Sequence, residues 1–458
     1  MSDPALSTTL SRRAPSPAHA AILATTQANI LTGHVRTHLV LLGVRCPSAA
    51  RLRVLLDAVV PHVKSAGEHL AEVDVFRRDA TPGTPYVNVA LSAAGLRLLG
   101  APLPADAAFR AGMKHREAAA LGDPPVDRWD RAYRDDLQAL VVIGGADPTA
   151  VAGAVRAIRR WVPRTDLVVV ERGREHRRTS AAGGSAAVEH FGYVDGVSQP
   201  LFIEEEREPG PGWHPETVLG DVLVPEPRPA GEPATYGSYL ILRKLEQDTA
   251  AFARREEALA SALGLTGTRR REAGARLVGR HRDGTPLVDH EHPLGGGAAA
   301  NTFDHGADPV GDRCPVFAHT RKMNPRGSSD GPDDERHRTL ARRGQTYGRR
   351  RVDADGEFTD RPVTGVGLLF LAFAASITDQ FEFVLSTWAE NAAFPSAANP
   401  DGAIDPVIGQ SPAAPLRLPR RWGAIDRVTV AAQEPVVRLL GGEHLFAPSI
   451  PALHRLNR

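Results

Sequence analysis

The stretch "LQALVVIGGADPTAVAGAVRAIRRWVPRTDLVVVERG", residues 137–173, carries the fold in miniature. Its two ends, "LQALVVIGG" and "DLVVVERG", are short apolar runs bounded by glycine and charge, as strands are. Between them "DPTAVAGAVRAIRRWV" places apolar residues at helical spacing. Upstream, "HLVLLGV" (38–44) and "PYVNVAL" (85–91) read as further strands, and "SAARLRVLLDAVVPHV" (48–63) as a helix. The order strand, helix, strand, strand, helix, strand is that of a βαββαβ, ferredoxin-like sandwich, with a doubly wound α/β sheet as the competing arrangement.

The 458 residues exceed one ordinary core, so two domains are expected. Residues 204–235, crowded with Pro, Gly and Glu, read as a crossover between them. A second unit then starts with "GSYLILRKLEQD" (237–248), a strand feeding a helix, and continues past a glycine-rich insertion into "GVGLLFLAFAASITDQFEFVLSTWAEN" (365–391). There a buried strand leads to a helix with Ile377, Phe381, Val384, Leu385 and Trp388 on one face. Ser376 and Asp379 have capping-box spacing. The expected class is therefore α+β, with two ferredoxin-like domains of antiparallel sheet: a disordered tail 1–25, a first domain 26–203, the crossover 204–235 and a second domain 236–458.

Composition removes several functions. Lys plus Arg (55) nearly balances Asp plus Glu (54), so a net charge of +1 offers no field for nucleic acid or an anionic membrane. Two cysteines, Cys46 and Cys314, are too few and too far apart for a disulfide framework or a local zinc or iron–sulfur site. Arg12 and Arg13 hint at a twin-arginine signal, but prolines and no sustained apolar run follow. The longest apolar run, 365–377, is shorter than the roughly 20 residues that span a bilayer. These readings predict a soluble, cytoplasmic protein, monomeric or homo-oligomeric.

Three stretches concentrate unusual residues: "EHFGYVDGVSQP" (189–200), "RCPVFAHTRKMNPR" (313–326) and "LARRGQTYG" (340–348). Singly, each has a plain explanation. An Asp between glycines caps a turn, a histidine after "VFA" is a satisfied core residue, and an arginine pair is a solvated or ion-paired strand edge. "DHEHP" (289–293) brings His290 and His292 to one side of an extended segment, yet with no third ligand it reads as a solvated loop.

Together and in this order, the three stretches closely resemble the dye-decolourising peroxidases, in the larger form that lacks a secretion signal. Gly192, Asp195 and Gly196 match the family's GxxDG signature, His319 stands at the proximal-ligand position and Arg342 at the distal arginine. Further likeness runs from "QANILTG" (27–33) through "LVGRHRDGTPL" (277–287) to "DPVIGQ" (405–410), so it covers nearly the whole chain. The resemblance implies one haem b per chain, held mainly by the second domain. It implies reduction of hydrogen peroxide to water through an oxyferryl porphyrin radical, followed by oxidation of dyes, phenols or other small aromatic donors.

Physical chemistry gives each implied position a task. A haem iron with one protein ligand needs a neutral imidazole, His319, whose other ring nitrogen meets an acceptor. Glu382 is the expected acid, because Asp379 has a cap to serve. On the opposite face Asp195 would move the peroxide proton and Arg342 would stabilise the developing anion. Gly192 and Gly196 would let the backbone approach a flat porphyrin. In an extended segment adjacent side chains diverge, so only one of Arg342 and Arg343 can face the pocket. Arg321, Asn324 and Arg326 suit haem propionates. An aspartate beside an arginine stays ionised into acid, so an acidic optimum is expected. Tyr347 and Trp388 are the candidate surface aromatics for passing electrons from bulky donors, with simple packing as the alternative. The competing functions are a haem-handling protein with slow turnover and a ferredoxin-like module without cofactor.

Overall fold

The computed structural model describes residues 3–34, 36–116, 121–179, 184–207, 217–229, 231–295, 301–329, 335–395, 399–411, 414–432 and 434–458. Part of the expected crossover, 208–216 and 230, lies outside them.

In the first half β1 (His38–Val44), β2 (Tyr86–Ser92), β3 (Ala139–Gly145) and β4 (Leu167–Arg174) pair in the order β2-β3-β1-β4. Every pairing is antiparallel, which removes the doubly wound alternative, whose sheet is mostly parallel. All seven residues of β2 and of β3 are buried; β3 is accordingly apolar or glycine throughout, while β2 buries Asn88 and Ser92 among its apolar residues. Between β1 and β2 the chain forms α1 (Ala49–Val59) and α2 (Ala66–Asp79), the latter opened by a Ser65/Glu68 capping box. Between β3 and β4 runs α3 (Pro148–Arg159), capped by the Asp147 side chain, with Val151, Val155 and Ile158 buried.

A hairpin of β5 (His176–Thr179) and β6 (Ser185–Val188) follows and delivers the chain to the glycine-flanked acid. The second half repeats the first plan. It comprises β7 (Tyr236–Gln247), α4 (Thr249–Ala262), the short β8 (Ala341–Arg342) and β9 (Gln345–Tyr347), β10 (Gly367–Ala374), wide helical turns Ile377–Glu382 and Val384–Ala389, and β11 (Val437–Ala447). Here the order is β11-β7-β10-β9, again antiparallel. The edges of the two halves then join, Leu445 opposite Ser92 and Tyr347 opposite Gly173, so the sheet closes on itself. Closure leaves the main strands without free edges. The helical face expected over 377–388 is buried at Ile377, Phe381, Val384, Leu385 and Trp388, and Ser376 exchanges hydrogen bonds with Asp379 as its spacing predicted.

The expectation of a disordered tail over 1–25 is corrected. Pro17–Thr25 is a helix, Leu10 and Ile22 are fully buried, and Leu10 bridges Ile203. Glu205 gathers the Ser11 hydroxyl (2.7 Å) and the Arg12 and Arg13 amides (3.0 and 3.1 Å). The prolines that looked like disorder start helices: Pro4 and Pro17 each occupy a first turn. Deleting residues 1–25 should therefore cost roughly 3–6 kcal/mol, two buried aliphatic side chains at about 1.5–3 kcal/mol each. An unchanged urea midpoint for the truncated chain would refute this. Among the described residues no helix is long and apolar enough to cross a membrane.

Candidate active site

His319 opens the short helix His319–Met323 directly after the buried pair Phe317 and Ala318. Its Nδ1 lies 2.8 Å from Oδ2 of Asp405, a carboxylate with no exposed surface. The other oxygen of Asp405 accepts from the backbone amides of Val407 (2.7 Å) and Ile408 (3.0 Å), so the acid is fixed by its own turn. Burial disfavours both charges, but each partner's charge and their shared hydrogen bond outweigh it. The His319 pKa is raised above its ordinary value and that of Asp405 is lowered. The imidazole keeps 27% of its side-chain surface accessible, and Nε2 makes no hydrogen bond among the described residues.

Asp405 replaces the expected Glu382. The Glu382 carboxylate is instead paired two-pronged with Arg116 (2.8 and 2.5 Å). Arg321 is likewise corrected as a propionate contact. It is fully buried, and its guanidinium is consumed by Asp308, Cys314 O and Ser328. Arg326 donates to Asn301 O (2.8 Å), Phe303 O (3.1 Å) and Ser198 Oγ (2.7 Å), the last in the glycine-flanked loop 189–200. Asn324 is half-buried at the end of the His319 helix.

That loop is framed by Glu189, which went unrecognised in the sequence. Its carboxylate accepts from the amides of Phe191 (2.8 Å) and Tyr193 (3.0 Å) and from the Gln247 side chain (2.7 Å). Gly192 and Gly196 both have positive φ, 90° and 80°. A Cβ on Gly192 would also stand 2.4 Å from the Arg282 guanidinium, which donates to Phe191 O. Phe191 stacks on Phe252 of α4 at 4.1 Å, and Tyr193 donates to Glu256 (2.7 Å), so the loop from the first half is docked on the second. Asp195 is exposed at its tip, where Oδ1 accepts from the Gly196 amide (2.7 Å). One oxygen thus caps the turn, as the plain reading has it, while the carboxylate remains accessible.

Arg342 reaches this loop from β8. Its amide donates to Gln199 Oε1 (3.1 Å), and its Nη2 to the carbonyls of Val197 (2.8 Å) and Ser198 (3.3 Å). Arg343 turns the other way, buried, and donates to Asn29 O (2.7 Å), Ile30 O (2.9 Å) and Arg342 O (2.9 Å). The alternation of an extended segment thus sends the two arginines to opposite sides. The charges of Arg342 and Glu189 both act on His319, and Asp195 acts on Glu189, so these four groups belong to one electrostatic neighbourhood.

Tyr347 and Trp388 are not surface aromatics. Tyr347 lies in the sheet opposite Gly173, 8% exposed, with Lys244 Nζ 5.3 Å from its ring. Trp388 stacks on Phe394 at 4.9 Å within the buried helical face. Among the described residues no cluster of three or more His, Cys, Asp or Glu could hold a bare metal ion, and His292 pairs with Glu272 (3.0 Å).

Residues 26–178 match the family described as the DyP dimeric alpha+beta barrel domain. The multifunctional dye peroxidase DyP2 of an Amycolatopsis species is 41% identical, over 98% of this chain and 99% of that protein. Its solved structure superposes with a TM-score of 0.92 over the same shares at 39% identity. The crystal structure of a DyP-type peroxidase from Anabaena gives 0.89 at 31% identity over the full length of both chains. More distantly, a dye-decolourising peroxidase of Mycetinis scorodonius is 29% identical over 82% of this chain and 77% of its own length.

Proposed function

The chain belongs to the dye-decolourising peroxidase family, an enzyme family that depends on haem, and from that premise we propose a site for haem b in which His319 would supply the protein ligand to the iron. The donor set fits the group. A single imidazole has one nitrogen held by a buried carboxylate and the other free, the arrangement that makes a neutral, basic ligand. When bound, haem supplies the two-electron reduction of hydrogen peroxide and the one-electron oxidation of small aromatic or dye-like donors.

The chain's own residues do the rest. Asp405 accepts the Nδ1 proton of His319 and so selects the tautomer with a free Nε2. The accessible Asp195 carboxylate would take a proton from one peroxide oxygen and deliver it to the departing one. Arg342, aimed by Val197 O and Ser198 O, places positive charge where that oxygen becomes anionic. Glu189 keeps the loop that bears Asp195 in shape. Arg326, beside Ser198, and Asn324, at the end of the His319 helix, would help to hold the propionate edge.

The observation that carries this reading is the His319–Asp405 contact. It is tested by the absorption spectrum of the haem-loaded protein before and after one equivalent of hydrogen peroxide, on the millisecond scale, beside His319→Ala. A Soret band that shifts and loses intensity in the wild type, with haem depleted in the variant, is expected. Haem that binds but ignores peroxide would leave a haem-handling protein and remove the roles given to Asp195 and Arg342.

A further inference from the structure

Two buried cations lie behind His319, and the reaction described above uses neither. Lys322, three residues past the histidine, has no exposed surface, and Arg255 of α4 is 4% exposed. Among the described residues neither forms an ion pair, and both donate only to main-chain carbonyls. Burial lowers the Lys322 pKa to about 8 and that of Arg255 to about 10, with the negative charge of Asp405 opposing the shift in each. A cation buried without a carboxylate contact is costly. What these two hold in place is the turn that carries Asp405.

Lys322 Nζ donates to Trp388 O (3.1 Å) and Asn391 O (2.5 Å), at the end of the helical turn Val384–Ala389. Between those two carbonyls, Ala389 O accepts the backbone amide of Asp405 (2.8 Å). Glu390, also between them, takes the amides of Gln410 (2.6 Å) and Ser411 (3.0 Å). Residues 405–411 are therefore seated on residues 388–391, and Lys322 fastens that seat to the helix opened by His319. From α4, the Arg255 guanidinium donates to Pro406 O, one residue past Asp405, and to Glu434 O (2.6 Å). The path closes on itself. It runs from His319 to Lys322 within one helix, on to 388–391, across to the Asp405 amide, and back through the Asp405 carboxylate to His319 Nδ1 (2.8 Å).

A hydrogen bond weakens steeply with tilt and with a few tenths of an ångström of stretch, so the acid behind a ligand has to be held as firmly as the ligand. We propose that Lys322 and Arg255 are positioning residues that clamp the Asp405 turn and thereby set the strength of its contact with His319. This rests on the reading of His319 as the haem ligand and extends it to two groups that act on that ligand only through Asp405.

The test compares the full chain as wild type, Lys322→Met and Arg255→Gln, by two measurements. In the apoprotein, backbone amide exchange at Asp405 should be about tenfold faster in Lys322→Met, because the carbonyl that protects it loses its anchor. In the haem-loaded ferrous protein, the iron–histidine stretching frequency read by resonance Raman should fall, because a looser Asp405 draws less on the Nδ1 proton and leaves a weaker ligand. Haem affinity should fall with it, by about tenfold. An anchor that merely supports the core would change stability and leave that frequency where it is. Arg255→Gln should move both readouts in the same direction, which keeps the proposal open to refutation if Lys322→Met does not fold. Wild-type exchange at Asp405, or an unchanged or raised frequency in a folded, haem-loaded variant, would overturn the clamp while leaving the ligand reading intact. A wild type that binds haem without an iron–histidine band, or binds none, would overturn both.

Discussion

Asp405→Asn will cost the protein most of its haem while leaving its fold standing. The amide oxygen can still accept from the amides of Val407 and Ile408, so the turn survives. The amide nitrogen then faces His319 Nδ1 and must donate to it, which moves the ring proton to Nε2 and closes the only free ligand position. Flipping the amide would instead set its NH2 group against two backbone donors, at about 1–3 kcal/mol for each lost bond. Haem affinity should fall roughly tenfold to a hundredfold, the usual effect of removing the group behind a metal-bound histidine. Asp405→Ala, which also strands the two amides, should destabilise the apoprotein by about 3–5 kcal/mol.

The same pair sets a pH window for the apoprotein. A histidine whose pKa is raised on folding stabilises below its unfolded value and loses that contribution as pH rises through the folded one; an aspartate whose pKa is lowered stabilises above its unfolded value and loses it in acid. The stability advantage of wild type over Asp405→Asn should therefore be greatest between about pH 4 and pH 6.5, the ordinary values of the two groups, and shrink on both sides. Thermal melts across that range check it. A flat difference, or wild-type haem affinity in the variant, would show that Asp405 does not govern His319.

Arg342→Leu should slow the reaction with hydrogen peroxide by about 10²–10³-fold, the effect of deleting one preorganised donor from a site where negative charge develops. Leucine approximates the volume but removes the charge and leaves Val197 O and Ser198 O without their donor. Arg342→Lys restores the charge without the planar grip on both carbonyls and should recover only part of the rate. Stopped-flow rates with peroxide in excess measure both, and Asp195→Asn, expected to lose about 10²–10⁴-fold, gives the comparison for the proton-moving group. If Arg342→Leu reacted as fast as wild type, the anion-stabilising role would pass to another cation. Arg343 is an unsuitable substitute, since its guanidinium is spent on Asn29 O and Ile30 O behind the strand.

Much of this was legible in residues read in order. Runs such as 38–44 and 139–145 announce strands because every residue in them is apolar or glycine apart from the opening His38. The alternation of Arg342 and Arg343 followed from strand geometry alone. Glu382 was misjudged because a helical stripe tells which face is apolar and nothing about where a carboxylate on its flank will find a cation; Arg116 is 266 positions away. The tail was misjudged for a related reason, since prolines and polar residues near a terminus look alike whether the chain is loose or laid against Ile203 and Glu205. Tyr347 and Trp388 read as electron-transfer candidates from residue type, while burial is decided by what packs over them.

What the amino-acid sequence determined by itself was local: which segments are strands and helices, and which short stretches hold the acid, the histidine and the arginine. The elements come from periodicity and turn chemistry set within a few residues, while the three stretches acquire their meaning from their joint resemblance to the family. The tertiary structure alone decided that the two sheets close into one barrel, that Asp405 meets His319 across 86 positions, and that Lys322 and Arg255 reach the main chain around Asp405. Contacts of that range are fixed by how edges pair and where buried charges find partners, and no local pattern encodes either.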